Sequence, residues 1–327
     1  MTSTPAKRAA QSGHVRRLVT RGRLTHRSTV AIGSVVAAAA ILSSSYTLTK
    51  VALIDVPPLT IGFVRFAAAA LLLYVWVRLI RRYPSPGRQD QRRLALGGLL
   101  GITLYFTIEN IGVDLATPTD AALLVAAYPA LTALLELVIY RQRRGVAGVA
   151  GIAVAVLGVY LIVGYSPTSD PDRLLGDILL VVSGIVWALY NFATRGVSER
   201  LPTPVVLYYQ ARVGALGFLP LALLERGSWH SMTQPGTTIA ALVALALLCS
   251  VLGLGLYAKG LQRLRASTAV NLLNLVPLFG LAIPIVFLGD DVTALQVIGG
   301  IVVIAGVTFT ARDDLAPCPT LEGAART

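Results

Sequence analysis

Ten long apolar stretches, separated by short polar links, most strongly constrain how this chain of 327 residues can fold. Crossing a bilayer as a helix takes about 20 apolar residues, and each stretch has about that length. Only 13% of the residues are charged. The sequence therefore predicts an all-α integral membrane protein with ten transmembrane helices, at about residues 29–49, 58–78, 94–113, 118–139, 145–164, 175–194, 203–224, 237–258, 267–288 and 293–311.

The composition also argues against several other classes of protein. A hydrophobic content of 55% excludes intrinsic disorder, and two cysteines exclude a disulfide scaffold. The three histidines lie in polar segments, so no metal site and no cofactor are expected. The sequence contains no Walker loop, no His-Glu-x-x-His and no Gly-x-Ser-x-Gly. We therefore expect neither an enzyme nor an ATP-driven pump.

Lys and Arg are distributed unevenly between the two sides of the predicted membrane. The chain has 28 of them against 16 acidic residues, and by count 23 of the 28 fall on the side that holds both termini. The opposite side has only Arg173 and Arg226. Cytoplasmic loops carry the excess of basic residues in membrane proteins. The pattern predicts a multi-pass protein of the cell (inner or plasma) membrane, with cytoplasmic tails at residues 1–28 and 312–327. The basic residues on this side are expected to contact the anionic inner leaflet of the membrane rather than nucleic acid.

The N-terminal segment has a second interpretation. Residues 1–28 are rich in Arg, Ser and Thr and contain no acidic residue, as in an organellar transit peptide. Arg outnumbers Lys 25 to 3 across the chain, which is typical of a GC-rich bacterial genome. This usage favours a cytoplasmic tail, and the transit peptide remains the alternative.

Matching residues recur at a nearly constant spacing in the two halves of the chain. One match falls on prolines, two on glycines and one on arginines: Pro129 and Pro277, Gly151 and Gly299, and Gly158 and Gly306 are 148 apart, and Arg65 and Arg212 are 147 apart. The spacing predicts a duplicated unit of five helices, residues 29–164 and 174–311. Because five is odd, the second unit enters the membrane from the opposite face. Such inverted repeats are typical of transporters.

Several local strings resemble the EamA-type family of the drug/metabolite transporter superfamily. They are Leu42 to Lys50 (LSSSYTLTK), Trp187 to Asn191 with Arg195, Tyr257 to Leu264, Ala266 to Ala269, Pro277, and Leu288-Gly289-Asp290. Gln142 and Asp290 stand where the family usually has Glu. The resemblance implies two inverted five-helix repeats and the export of amino acids, metabolites or drugs.

Charged residues within the predicted spans are the first candidates for function, because a charge in the bilayer core is costly unless it faces a cavity or a partner. Arg65 and Arg212 are candidates for binding an anionic substrate group. The alternative is a structural role in which they bind backbone carbonyls. Glu109 is a candidate for carrying a coupled proton, or else a salt-bridge partner of Lys50.

Polar and aromatic side chains within the spans complete the predicted substrate site: Ser44, Tyr46, Trp187, Tyr190, Asn191, Tyr209 and Asn274. A pocket needs a mainly apolar lining with a few directed polar groups, which this set supplies. Some of these residues are expected only to form hydrogen bonds between helices. Pro129 and Pro277 are predicted hinges, and the paired glycines are predicted to allow close helix packing.

The sequence thus predicts a secondary transporter, and the resemblance favours an exporter. It would move a small metabolite, amino acid or drug-like solute by alternating access. A membrane-embedded sensor or scaffold and a membrane enzyme remain alternatives. The expected partners are the small-molecule substrate and the lipid bilayer, and the sequence leaves a homodimer open.

Overall fold

The structure, a computed structural model, describes residues 30–139, 145–164, 171–198, 200–261, 275–289 and 292–315, and every element in these ranges is helical. The first half comprises α1 (Val30–Ala52), α2 (Pro58–Ile80), α3 (Arg88–Leu115), α4 (Pro118–Val125), α5 (Tyr128–Ile139) and α6 (Val146–Gly164). The second half comprises α7 (Pro171–Ser198), α8 (Thr203–Leu224), α9 (Pro235–Tyr257), α10 (Val276–Leu288) and α11 (Ala294–Leu315).

Seven of these helices are long and apolar enough to cross a membrane, and α4 with α5 makes an eighth if this bent pair is one span. The apolar helices α10 and α11 are shorter in the part described, and the ninth predicted span begins in residues outside it. The expectation of a multi-pass, all-helical membrane protein is confirmed. Ten spans and an inverted repeat remain predictions.

The two ends of the helix bundle differ in charge. At one end Lys50 of α1 donates hydrogen bonds to the carbonyl oxygens of Val113, Asp114 and Ala116, where α3 ends. We call this the acidic end, because it also holds Asp55, Asp120, Asp172 and Glu225. The other end, which we call the basic end, holds Arg78, Arg88, Arg92 and Arg200. With the bent pair α4 and α5 taken as one span, consecutive spans therefore run in opposite directions between these two ends.

Large apolar side chains cover the outside of the bundle. Leu71, Leu216 and Phe287 expose 65%, 62% and 77% of their surface. In water such a surface would be unfavourable, whereas in a bilayer it faces hydrocarbon. The interior instead contains many small residues, as expected where helices approach closely.

The paired glycines lie at the crossing of α6 with α11. A Cβ atom built on Gly158 would lie 2.7 Å from the carbonyl oxygen of Gly299, and one built on Gly299 would lie 2.9 Å from that of Gly158. Gly151 and Gly306 oppose each other in the same way. The prediction that these glycines allow close packing is confirmed, and the helices that meet here are the last of each half.

Both predicted hinge prolines lie in the first turn of a helix. Pro129 follows the 45° bend between α4 and α5, and Pro277 is the second residue of α10. The first turn tolerates proline because its N–H groups lack helical partners in any case. Each proline therefore starts a helix rather than kinking one, and a hinge motion at either place stays a prediction.

Candidate functional site

Arg65 lies inside the bundle on α2. It follows Pro57 by eight residues, or about 12 Å along the helix, and only 3% of its surface is exposed. Its Nε donates a hydrogen bond to Ser250 Oγ over 2.8 Å, and its Nη1 donates to Ser45 Oγ over 3.1 Å. These bonds use two of the five N–H groups of the guanidinium.

Aromatic rings surround the rest of this guanidinium. Its Cζ lies 4.6 Å from the centroid of the Phe106 ring and 5.2 Å from that of Phe66. Cation–π attraction acts over such distances and strengthens when water is excluded. In the described part of the chain no carboxylate forms an ion pair with Arg65. The direct contacts of the guanidinium are thus with neutral groups, and Glu109 lies within electrostatic range of it.

A π-helical segment brings Ser250 to Arg65. Residues Leu245–Gly253 of α9 form this segment, and Ser250 Oγ donates to the carbonyl oxygen of Leu245, five residues earlier, over 3.1 Å. The wider turn changes which side chains face the bundle interior. Local π-helical turns are frequent at functional sites, because they redirect side chains without ending the helix.

Glu109 provides the nearby negative group. It lies on α3 with 5% of its surface exposed and accepts a hydrogen bond from the Tyr105 hydroxyl, one turn earlier. Lys50 donates hydrogen bonds to backbone carbonyls at the acidic end, and its pairing with Glu109 stays a prediction. Tyr46 on α1 lies within electrostatic range of both Arg65 and Glu109.

A chain of aromatic contacts leads from Glu109 towards α8. The ring of Tyr105 lies 5.1 Å from that of Trp187, which in turn lies 5.1 Å from Tyr190. The Tyr190 hydroxyl donates to Gln210 Oε1 over 3.1 Å. Tyr128 packs edge-on against Tyr105 and shares a 2.6 Å hydrogen bond with Ser183. We call the connected set the central belt: Tyr46, Arg65, Tyr105, Glu109, Tyr128, Trp187, Tyr190, Gln210 and Ser250.

Some buried polar atoms in and beside the belt lack a hydrogen-bond partner within the described ranges of the chain. They include Gln210 Nε2, Thr47 Oγ1 and Thr107 Oγ1. Buried polar atoms are nearly always satisfied in folded proteins, so each exception needs an explanation. In a binding site, spare donors and acceptors of this kind are available to a ligand.

The central belt brings together five of the residues predicted from sequence: Tyr46, Arg65, Glu109, Trp187 and Tyr190. Ser44 lies beside it, since its Oγ donates to the carbonyl oxygen of Ile41 and is 4.0 Å from Cys249 Sγ. Asn191 is partly exposed on α7, and none of the belt contacts involves it. Asn274 is outside the described residues.

Tyr209 and Arg212 lie elsewhere, beside a cavity of about 290 Å³ near the basic end. Arg212 is exposed, with its guanidinium 5.1 Å from the Tyr209 ring, and the Tyr209 hydroxyl accepts a 2.8 Å hydrogen bond from Arg78. The two arginines that are 147 apart therefore differ in environment: Arg65 is buried and Arg212 is exposed. The lining residues are Arg88, Gln91, Arg92, Ala95, Tyr209, Arg212 and Val213.

Sequence reasoning missed Tyr105, Tyr128 and Ser250. Tyr105 had a signal, because it precedes Glu109 by four residues and so shares its helix face. Ser250 had no such signal, since its direction depends on the π-helical segment.

Comparison with known proteins agrees with this architecture. The chain matches the EamA-like transporter family over residues 29–164 and again over residues 174–312. A solved crystal structure superposes with a TM-score of 0.58 at 20% sequence identity, covering 88% of this chain and 99% of the other. At that identity the superposition shows a shared fold.

Three relatives illustrate the range of similar proteins. An uncharacterized transporter of Archaeoglobus fulgidus is 28% identical over 83% of this chain and 93% of its own. A probable amino-acid metabolite efflux pump of Salmonella typhimurium is 28% identical over 80% and 88%. A probable terminal-alkyne amino-acid exporter of Streptantibioticus cattleyicolor is 29% identical over 79% and 84%. Taken with the two family matches, which together span most of the sequence, these similarities show that the chain belongs to the EamA-like transporter family and is a membrane transporter.

Proposed function

We propose that this protein is a secondary transporter that exports a small amino acid or a related metabolite by alternating access. The observation that carries the proposal is Arg65, a buried cation whose direct contacts among the described residues are two serine hydroxyls and two aromatic rings. A substrate carboxylate would supply the direct ion-pair partner that Arg65 lacks among these residues. The names of the Salmonella and Streptantibioticus relatives support a substrate of this class.

The central belt offers complementary groups for the rest of an amino acid. The remaining N–H groups of Arg65 suit a carboxylate, because a guanidinium and a carboxylate can form two parallel hydrogen bonds. Glu109 suits the substrate ammonium. Trp187, Tyr190 and Tyr46 supply apolar and aromatic surface for the side chain, as in most small-molecule sites. Gln210 Nε2 is an additional donor.

Glu109 is also our candidate for the coupling group. A carboxylate that binds either the substrate ammonium or a proton cannot bind both, and such competition is sufficient for antiport. Export of a substrate would then accompany entry of a proton. Replacement of Glu109 by Gln should abolish uphill transport driven by a pH gradient.

The cavity at the basic end is proposed as the route by which the substrate reaches the belt. Tyr209 and Arg212 lie in its wall, where a cationic surface attracts anionic groups. With the basic end in the cytoplasm, this route leads from the cytoplasm, as export requires. Ser44, Asn191 and Asn274 stay predictions as substrate contacts.

The test is exchange of radiolabelled amino acids in proteoliposomes, with Arg65→Ala and Arg65→Lys beside the native chain. The loss of charge-assisted hydrogen bonds of about 1.5–3 kcal/mol should weaken apparent affinity about 10- to 100-fold in Arg65→Ala. Arg65→Lys should be intermediate, because lysine keeps the charge without the paired geometry. Arg81→Lys, an exposed arginine at the basic end, is the matched control and should transport normally.

Two results would contradict the proposal. If folded Arg65→Ala bound its substrate with native affinity, Arg65 would not be part of the substrate site. An absence of flux for every amino acid and related metabolite, with folded native protein in the vesicles, would contradict this substrate class.

A further inference from the structure

Asp120 joins three helices at the acidic end. It lies in the first turn of α4 and is completely buried. Arg173 of α7 forms an ion pair with its Oδ2 over 2.8 Å, and Thr117 donates to the same oxygen. Gln296 of α11 donates to Oδ1 over 2.5 Å. Both oxygens of Asp120 are therefore occupied, as an ionised carboxylate requires.

Asp177 is a second carboxyl group at the same junction. It follows Arg173 by one helical turn on α7, has 1% of its surface exposed and lies within electrostatic range of Asp120 and Arg173. Neither of its oxygens has a hydrogen-bond partner among the residues that the structure describes. A buried carboxyl group with no donor at either oxygen lacks what an ionised carboxylate needs.

The neighbouring helix α3 offers Asp177 no compensation. Where α7 passes the end of α3, Gly176 packs against Gly112 and Ala116, which present backbone and methyl groups. In the described part of the chain, the charged groups that face Asp177 are Asp120 from α4 and Arg173 from its own helix. The α11 side contributes Gln296, which does not titrate.

The charges at the junction balance only if a proton is present. Asp120 and Arg173 already form a neutral pair, so an ionised Asp177 would add a buried negative charge beside another carboxylate. A buried charge is stable only when it is paired and hydrogen-bonded. Neighbouring carboxylates that share one cation meet this requirement by retaining a proton.

We propose that Asp177 is a proton-binding site that holds a proton while α4, α7 and α11 are packed together and releases it when the acidic end opens to water. On opening, the carboxyl O–H bond breaks, the electron pair stays on the oxygen, and water accepts the proton. Protonation therefore favours closure of the acidic end, and closure favours protonation by the same factor. The site requires no transported solute.

The experiment measures how readily water reaches the junction as pH changes. Ala121 on α4 is fully buried, so a cysteine placed there should react with a membrane-impermeant maleimide only when the acidic end opens. Full-length protein in lipid nanodiscs would carry Ala121→Cys in a background with Cys249→Ala and Cys318→Ala. The labelling rate would be measured across pH in three versions of this protein. One keeps Asp177, one carries Asp177→Asn, and one carries Asp114→Asn, which replaces an exposed carboxyl at the same end.

Asp177→Asn mimics the protonated side chain, so it should label slowly and keep the acidic end closed at every pH. Because this variant should stay closed at every pH, any change of its labelling rate with pH reports the reactivity of the cysteine thiol itself. The ratio of the Asp177 rate to the Asp177→Asn rate should rise with pH, by at most tenfold per pH unit because one proton is involved. Asp114→Asn should follow the Asp177 profile.

A constant ratio across pH would overturn the proposal, whether both rates stay low or both rise together. A changed profile in Asp114→Asn would also overturn it, because the proton would then lie elsewhere. Failure of the protein to transport amino acids would leave these labelling rates unaffected, so the two proposals can fail separately.

Discussion

Arg65 illustrates how a single charged residue is kept inside a membrane protein by neutral neighbours. Its acceptor Ser250 can be tested directly. Ser250→Ala leaves the buried Nε without a partner, which should lower the free energy of unfolding by about 1–3 kcal/mol. Thermal unfolding in detergent would measure the loss.

Ser34→Ala is the matched control for Ser250→Ala. Within the described part of the chain, the Ser34 hydroxyl bonds only to the carbonyl oxygen of Val30 in its own helix. Its replacement should have a much smaller effect, and equal melting temperatures for the two variants would contradict the role given to Ser250.

Asp55 in the link between α1 and α2 predicts a pH dependence of stability. Hydrogen bonds from the hydroxyls of Thr233 and Thr238, with the N–H groups of Thr233 and Gln234, hold the pKa of Asp55 well below its usual range. The stabilisation is complete above the unfolded pKa of about 4 and is lost as pH falls towards the folded value. Asp55→Asn should melt lower than native protein at pH 6, and this difference should shrink towards pH 3.

Asp90→Asn is a suitable control for Asp55. Asp90 pairs with Arg200 at an exposed site, where an ion pair contributes little. A difference between Asp55→Asn and native protein that stays constant from pH 6 to pH 3 would contradict the prediction.

At the residue level the sequence predicted part of the central belt. Arg65 and Glu109 could be found because a charge within an apolar run needs an explanation. Trp187 and Tyr190 could be found because polar aromatic residues within a span suit a pocket. The different environments of Arg65 and Arg212 could not be predicted, since they depend on which helices cover each arginine.

At the level of helices, the lengths of the apolar runs predicted positions well and ends less well. Helix α3 begins at Arg88, six residues before the start predicted from hydropathy. Its first turns carry Arg92 and Arg93, whose long side chains can extend to the membrane surface while the backbone stays helical. Two features lie within continuous apolar runs: the bend between α4 and α5, and the π-helical segment of α9. The composition does not change at either place, so it gives no sign of them.

The crossing of α6 with α11 predicts which glycines cannot be replaced. In Gly306→Ala the new methyl group would meet backbone atoms of Gly151 and Ala155, which cannot move without separating the helices. Overpacking of this kind typically costs about 1–3 kcal/mol. Thermal unfolding in detergent would measure the loss.

Gly255→Ala provides the comparison for the glycine crossing. Among the described residues, no atom outside its chain neighbours and its own helix backbone lies within 4 Å of a Cβ built on Gly255. Alanine is more favourable than glycine inside a helix by about 1 kcal/mol, so this variant should be at least as stable as the native protein. A Gly306→Ala variant of native stability would show that the helices separate without cost.

In the whole molecule, three carboxylates tie the two halves together at the acidic end. Asp55 accepts hydrogen bonds from the link between α8 and α9, Glu225 accepts them from Leu59 and Thr60 at the start of α2, and Asp120 binds Arg173 and Gln296. We call these three contacts the carboxylate clasps. Each joins a carboxylate of one half to donors of the other.

The carboxylate clasps should hold the acidic end closed. In Glu225→Gln, charge-assisted hydrogen bonds of about 1.5–3 kcal/mol are weakened. We expect a cysteine at Ile61, which is fully buried on α2, to react with maleimide about tenfold faster or more. The labelling rate in nanodiscs is the measurement.

Asp90→Asn again serves as control, because the Asp90–Arg200 pair joins the halves at the basic end. It should leave labelling at Ile61→Cys unchanged. An equal increase in both variants would indicate general loosening of the bundle rather than release of a clasp.

The excess of basic residues at one end predicts the orientation of the whole molecule in the membrane. In intact cells, an external maleimide should label His230→Cys in the acidic-end link between α8 and α9. It should not label Gly87→Cys in the basic-end link, although both positions are exposed. The reverse pattern would contradict the positive-inside assignment.

The carboxylate clasps have a consequence for transport kinetics. A carrier whose acidic end is tied shut when empty spends most of its time with the substrate site turned to the basic end. Apparent affinity scales with the fraction of molecules in the competent state. The substrate concentration that gives half-maximal flux should therefore be lower on the basic side than on the acidic side. The gradient alone still sets the direction of net movement.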